Sequence, residues 1–323
     1  MTVSTARPPT PALVLVAGLL AALGAAWMLA TRVAGPKPTP APSGRPAAAA
    51  PVAVPPGAGG GGEGQAAAAK PRKGGAYEVV EVQQGGTIRV TCRLSRAPAF
   101  ALTLPLNRDQ AGCGHPTMPN ERCVHDAATL GLANCIVSLV DIQKGKAFEG
   151  ALAEKGATVV LDQHGCAYVP HVQLVRTGTQ LAVKNSDPVQ HNVKAFLNNR
   201  ATLQFNLMSS SNSLLEPQAD TVLARAGTYL LYCDIHFWMT GYVRAVAHPY
   251  HALSGKDGTC TLTQVPPGQY RIGCWHEGMT VKLQQAGADV TGYEFSPDIT
   301  LPEQVVDVPP GGTVDIVFVV DPA

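Results

Sequence analysis

The sequence predicts an all-β fold: a Greek-key β-sandwich and a second small β-sandwich, preceded by one N-terminal transmembrane helix and a disordered linker. Three observations carry this. From Tyr77 onward the chain breaks into short runs rich in β-branched and aromatic residues, separated by turn residues. No stretch after residue 35 keeps a helical period over three turns. Between the apolar N-terminus and these runs lies a segment whose composition cannot build a core.

The first element is residues 12–30, ALVLVAGLLAALGAAWMLA, nineteen residues without a charge. At helical rise this length spans a bilayer core. It reads as a signal anchor within residues 1–34; a cleaved signal peptide is the alternative. Arg7 precedes the run, while Arg32, Lys37 and Arg45 follow it. Counting positives alone would put the C-terminal side inside. The chemistry described below instead suits an oxidising compartment. The expected location is the periplasmic side of a bacterial inner membrane, or outside the cell if the segment is cleaved.

Residues 35–75 form the linker. Gly, Pro and Ala fill 30 of its 41 positions, and five Lys/Arg against Glu63 alone give it +4. Its Pro-rich half is expected to be extended and its Gly-rich half flexible. The chain's formal charge of +1 therefore hides an asymmetry: residues 76–323 carry −5. Without a basic excess on the folded part, a nucleic-acid partner is not expected.

The folded part divides into 76–160, 161–248 and 249–323. The first is β-rich and carries no motif, and its strands could join either sandwich. TIRVTCRL (87–94), ATVVLD (157–162), TQLAVKN (179–185), TYLLYC (228–233) and TVDIVFVV (313–320) all read as strands. Gly85-Gly86, Asp257-Gly258 and Pro266-Pro267-Gly268 mark turns.

The segment TYLLYCDIHFWMTGYVRAV, 228–246, concentrates the chemistry. A strand runs into Cys233, His236 follows three residues later, Met239 three after that, and another strand resumes. Upstream, Asn185-Ser186-Asp187 closes another predicted strand, and His191 and Asn192 follow at its end. A soft thiolate, two imidazoles and a weak thioether form the donor set of a redox copper site. A Cys-x2-His pair alone could be half a zinc site, and Cys or Met alone could be core packing. His191 tips the reading to copper.

On these residues the 161–248 region resembles a cupredoxin, the plastocyanin/amicyanin family of blue copper proteins. The shared features are the short Cys-x2-His-x2-Met loop, Tyr232-Cys233, Met239-x-Gly241 and His191-Asn192-Val193. The resemblance implies one mononuclear type 1 copper, with His191, Cys233 and His236 equatorial and Met239 axial. It implies that Asn192 braces the loop by hydrogen bonding. Phe237 stands where amicyanin-like loops often carry proline. Tyr232 and Asp234 flank Cys233, so no histidine bridges to another copper; an electron-transfer protein is expected rather than an enzyme, with a copper oxidoreductase as the alternative. Copper buffering or envelope adhesion is the alternative function. The expected redox partner is a protein such as a c-type cytochrome or a dehydrogenase.

His164, Cys166 and His171 crowd together in QHGCAYVPHVQLV and are candidates for a second metal site or for structural roles. Cys260 and Cys274 lie symmetrically about Pro267, so a hairpin there predicts a cross-strand disulfide. Cys113, Cys123, Cys135 and Cys166 could form two further bridges, leaving Cys92 as the odd thiol. Residues 249–323, with their Ser254-Gly255-Lys256-Asp257-Gly258 and Val265-Pro266-Pro267-Gly268-Gln269-Tyr270 turns, resemble a carboxypeptidase regulatory-like domain, a small transthyretin-like sandwich.

Overall fold

Strand β1 (Gly86–Leu94) shows how the sequence writes this fold. Ile88, Val90, Cys92 and Leu94 turn into a core, while Arg89 and Arg93 face solvent. That alternation is the period of a half-buried strand. A computed structural model describes residues 76–198 and 202–322. The expected N-terminal helix and the linker lie outside them. No helix among the described residues is long and apolar enough to cross a membrane. Their regular structure is almost entirely β, and they belong to one unit.

After β1 a segment holding a short hairpin and helix leads to β2 (Ile136–Val140). The chain then builds a first sandwich. Its strands are β3 (Thr158–His164), β4 (Ala167–Val169), β5 (Val172–Arg176), β6 (Gln180–Asn185), β7 (His191–Leu197), β8 (Thr202–Ser209), β9 (Ser213–Leu215), β10 (Gly227–Tyr232) and β11 (Thr240–Val246). One sheet runs β9-β6-β3-β4 and the other β8-β7-β10-β11-β5. Leu161, Tyr168, Leu181, Val193, Phe205 and Leu231 fill the space between them.

The second sandwich uses β12 (His251–Leu253), β13 (Thr259–Val265), β14 (Gly268–His276), β15 (Gln304–Val308) and β16 (Thr313–Val320). They do not close on themselves. β2 lies between β12 and β14, and β1 lies between β13 and β16. β1 and β16 pair in parallel from Thr87↔Thr313 to Leu94↔Val320. The 76–160 segment thus supplies an inner strand to each sheet of a sandwich completed by the chain's other end.

The same segment also reaches the first sandwich. Thr103–Pro105 pairs with Thr117–Pro119, and the short helix Gln110–Cys113 sits between them. Leu104, Leu106, Cys113 and Met118 of this flap enter the first core. Cys113 and Cys166 form a disulfide that staples the flap to the β3–β4 turn.

The hairpin disulfide expected between Cys260 and Cys274 is not formed; both cysteines are free. The physical reason is topological. β13 pairs with β1 and β14 with β2, in opposite sheets, so the Pro266-Pro267 connection crosses between sheets instead of closing a hairpin. Cys123 and Cys135 are free as well, and Cys92 is one of several free thiols.

The two sandwiches abut. Val172, Leu230 and Tyr242 pack with Ile136, and Trp275 lies against them. Burial on both faces explains why β10 carries Tyr229, Leu230 and Leu231 in succession. Beside this contact sits a buried polar joint. Arg122 Nη1 meets Glu277 Oε2 at 2.9 Å, and the other Glu277 oxygen is hydrogen-bonded to His171 Nε2.

Candidate metal centre

β7 and the β10–β11 connection meet at one end of the first sandwich. His191 is the first residue of β7, and β10 and β11 pair up to Tyr232↔Thr240. Only seven residues, Cys233–Met239, cross between those strands. The Cys233 N–H donates to the Met239 carbonyl at 3.2 Å, and the Met239 N–H to the His236 carbonyl at 2.8 Å. These bonds fold the loop back so that its candidate donor residues turn inward. Asn192 holds the loop from β7: its Oδ1 accepts the Asp234 N–H at 2.6 Å. Its Nδ2 donates to Asn206 Oδ1 at 2.9 Å.

The donor atoms converge. Ligand atoms of His191, Cys233 and His236 lie within 4.8 Å of one another. The two Nδ1 atoms are 2.8 Å apart, and Cys233 Sγ is 3.9 Å from His236 Nδ1. The His236 N–H points at Cys233 Sγ at 3.4 Å. Met239 is buried in the same core as Cys233. His191, Cys233 and His236 are all wholly excluded from solvent.

Both imidazoles are held from behind. His191 Nε2 lies 2.8 Å from Asp187 Oδ2, and His236 Nε2 lies 3.0 Å from Asp109 Oδ2. A carboxylate on Nε2 fixes the Nε2–H tautomer and turns the Nδ1 lone pair toward the centre. Asp187 also accepts the N–H groups of Gly165 and Cys166, at 2.7 and 2.8 Å. Burial opposes its charge, but the His191 and backbone hydrogen bonds win and lower its pKa. Burial likewise raises the Cys233 thiol, yet its contacts with His191 and His236 and the backbone N–H groups of Asn192 and His236 outweigh this and bring it down to about 6. A thiolate is therefore available near neutral pH, and the residues fit a copper ion.

No protein-family model matches this chain, and no curated protein matches it. Among solved structures it is similar to amicyanin from Paracoccus versutus, at 19% identity over 28% of this chain and 81% of that one, with a TM-score of 0.24. It is similar to the purple cupredoxin from Nitrosopumilus maritimus, at 22% identity over 28% of this chain and 99% of that one, TM-score 0.23. A Cu-containing nitrite reductase from Thermus scotoductus matches at 19% identity over 30% of this chain and 24% of that one, TM-score 0.23.

The other group of donors expected near residue 166 does not assemble. Cys166 is consumed in the disulfide, His164 is exposed, and His171 turns away to Glu277. The two carboxylates, in contrast, were not anticipated as partners. Asp187 stands four residues before His191, a local signal that could have found it. Asp109 is 127 residues from His236, and nothing near it in the sequence marks the contact.

The Cys233–Met239 loop is roofed. The flap brings Asp109 onto His236 and places the Arg108 guanidinium over the Phe237 ring, 5.6 Å from its centroid. Gly112 lies so close to Val189 that a Cβ there would sit 2.3 Å from Val189 Cγ1. Tyr293, on the hairpin Val281–Ala286/Asp289–Phe295, packs edge-on to Trp238 at 6.0 Å and hydrogen-bonds to the Pro105 carbonyl.

Proposed function

We propose that the chain is a type 1 copper protein carrying single electrons, its ion held by His191, Cys233, His236 and Met239. The observation that carries this reading is the convergence of one thiol and two inward-turned Nδ1 atoms, each imidazole anchored through Nε2. Copper supplies a one-electron couple between Cu(II) and Cu(I). Cys233 and Met239 offer donors suited to the reduced ion, and the imidazoles suit the oxidised one. Asn192, Asp187 and Asp109 hold the loop and rings in place, so little moves when the charge changes. The roof of flap and hairpin keeps water from the donors.

The copper-loaded chain should absorb intensely in the visible through thiolate-to-copper charge transfer. Cys233→Ser should abolish that band. A colourless copper-loaded wild type would overturn the reading. The −5 charge of residues 76–323 favours docking to a basic redox protein, such as a c-type cytochrome. Transfer should then slow as ionic strength rises. Tethering at the periplasmic face of a membrane by residues 12–30 belongs to the same proposal, and membrane fractionation of the full chain tests it.

Copper buffering is the second reading, favoured by the roof itself, which leaves no ligand edge open to a partner. Voltammetry separates the two. A fast reversible couple supports transfer, and a sluggish one supports storage.

A further inference from the structure

Three cysteines that the first centre does not use meet inside the second sandwich. Cys92 is on β1, Cys274 is on β14, and Cys135 immediately precedes β2. β1 belongs to one sheet, while β2 and β14 belong to the other, so the sulfurs meet where the sheets face each other. The three Sγ atoms lie within 4.8 Å of one another, with Cys92 and Cys274 4.0 Å apart. All three residues are buried and none is in a disulfide.

Their backbones are fixed from several directions. The Cys92 N–H donates to the Gly258 carbonyl and its carbonyl accepts from Leu132, each at 2.8 Å. The Cys135 N–H donates to Ser254 Oγ at 2.9 Å, and the Cys274 carbonyl accepts the Leu301 N–H at 3.0 Å. A Cβ on Gly258 would sit 2.2 Å from the Cys92 carbonyl oxygen, so this approach needs glycine.

We propose that Cys92, Cys135 and Cys274 form a second metal site, a three-sulfur cradle for Cu(I). Thiolates select soft ions, and a closed apolar core excludes ions that must keep water. Sulfurs about 2.3 Å from an ion at the centre of their plane stand about 4 Å apart, the separation of Cys92 and Cys274. Zinc in a closed structural site demands a fourth ligand. His276 cannot serve, because both its ring nitrogens face backbone carbonyls, those of Glu277 and Ala133. Cys260 stands outside the three-sulfur group. Three donors without a fourth suit Cu(I). Binding displaces thiol protons to solvent and involves no change of oxidation state.

The test loads the full chain, purified without oxygen, with Cu(I) from a weakly binding complex. Two coppers per chain are expected. One develops the visible band on oxidation; the other stays colourless and absorbs only in the near ultraviolet. The Cys233→Ser chain, whose second core is untouched, should hold a copper whose X-ray absorption shows sulfur donors alone. Cys92→Ser should lose that copper and keep the visible band of the first centre. The proposal is overturned if the Cys233→Ser chain shows no all-sulfur copper. A second disulfide, Cys92–Cys274, in the intact mass of the purified chain would also overturn it. The visible band reports the first centre separately, so failure of one site is not mistaken for failure of the other.

Discussion

The two sandwiches bury sulfur in opposite ways. In the first, Cys233 sits where a strand ends, and its neighbours are imidazoles backed by carboxylates. In the second, Cys92 and Cys274 sit within strands, and their surroundings are apolar side chains. The difference follows from position. A strand end borders loops, where histidine and aspartate can be solvated or paired at little cost. A mid-strand residue facing another sheet must pass for a hydrophobe, and among metal ligands the thiol does so best. The place of a cysteine in a sandwich thus selects the chemistry that can surround it.

That contrast depends on the two sandwiches being held together, and the buried joint is its most sensitive point. Glu277 lies between Arg122 and His171, all three buried. Glu277→Gln strands Arg122 and leaves His171 only Glu121, 3.6 Å from its Nδ1, and breaking a buried pair costs about 3–5 kcal/mol. Denaturant unfolding, followed by the visible band and by tryptophan fluorescence, should show the loss in both signals together. Loss in one alone would mean the sandwiches unfold separately.

The joint also sets a pH window. Burial opposes the charge of Glu277, but His171 and Arg122 hold its pKa down at about 2, below its ordinary 4.5. Its contribution is complete above pH 4.5 and falls away as pH drops toward 2. Burial lowers the His171 pKa, but the Glu277 charge outweighs it and the net direction is up from 6.5. That contribution is complete below pH 6.5 and is lost as pH rises through the folded value. Stability from this joint should therefore peak between pH 4.5 and 6.5. Glu277→Gln should flatten the acid limb.

The next effect isolates the flap. Cys113 and Cys166 are 53 residues apart, and a closed loop of that size restrains the unfolded chain by about 4 kcal/mol. Replacing both with serine should lower unfolding stability by roughly that amount. The staple also holds the flap that carries Asp109. The visible band should therefore shift in the double variant, while copper held by the second sandwich stays put. An unmoved band would mean the flap stays seated without its staple.

These long connections explain what could be read from the sequence. The strands were legible because each carries its period locally, as GTIRVTCRL does. The ligand loop was legible because Cys233, His236 and Met239 fall within seven residues. The pairing of β1 with β16 was not, since it joins residues more than 200 positions apart and both strands read equally well toward other partners. The Cys260–Cys274 expectation failed for a related reason. Pro266-Pro267-Gly268 marks a change of direction, but a turn that closes a hairpin and one that crosses between sheets look alike in sequence. Asp109 was invisible because the flap that delivers it has no periodicity of its own.

The smallest effects compare the two carboxylates behind the ligands. The Asp187 side chain is 5% exposed and accepts two backbone N–H groups besides facing His191; that of Asp109 is 44% exposed and faces His236. Removing a carboxylate behind a metal-bound histidine typically weakens metal affinity about 10–100-fold. Asp187→Asn should fall in that range, because its surroundings admit no water to replace the lost charge. Asp109→Asn should cost less than about tenfold, since the Asp109 carboxylate is 44% exposed and solvent already screens its charge. Competition titration of copper against a chelator measures both. If the order is reversed, the flap, not the β7 end, is what holds the centre in shape.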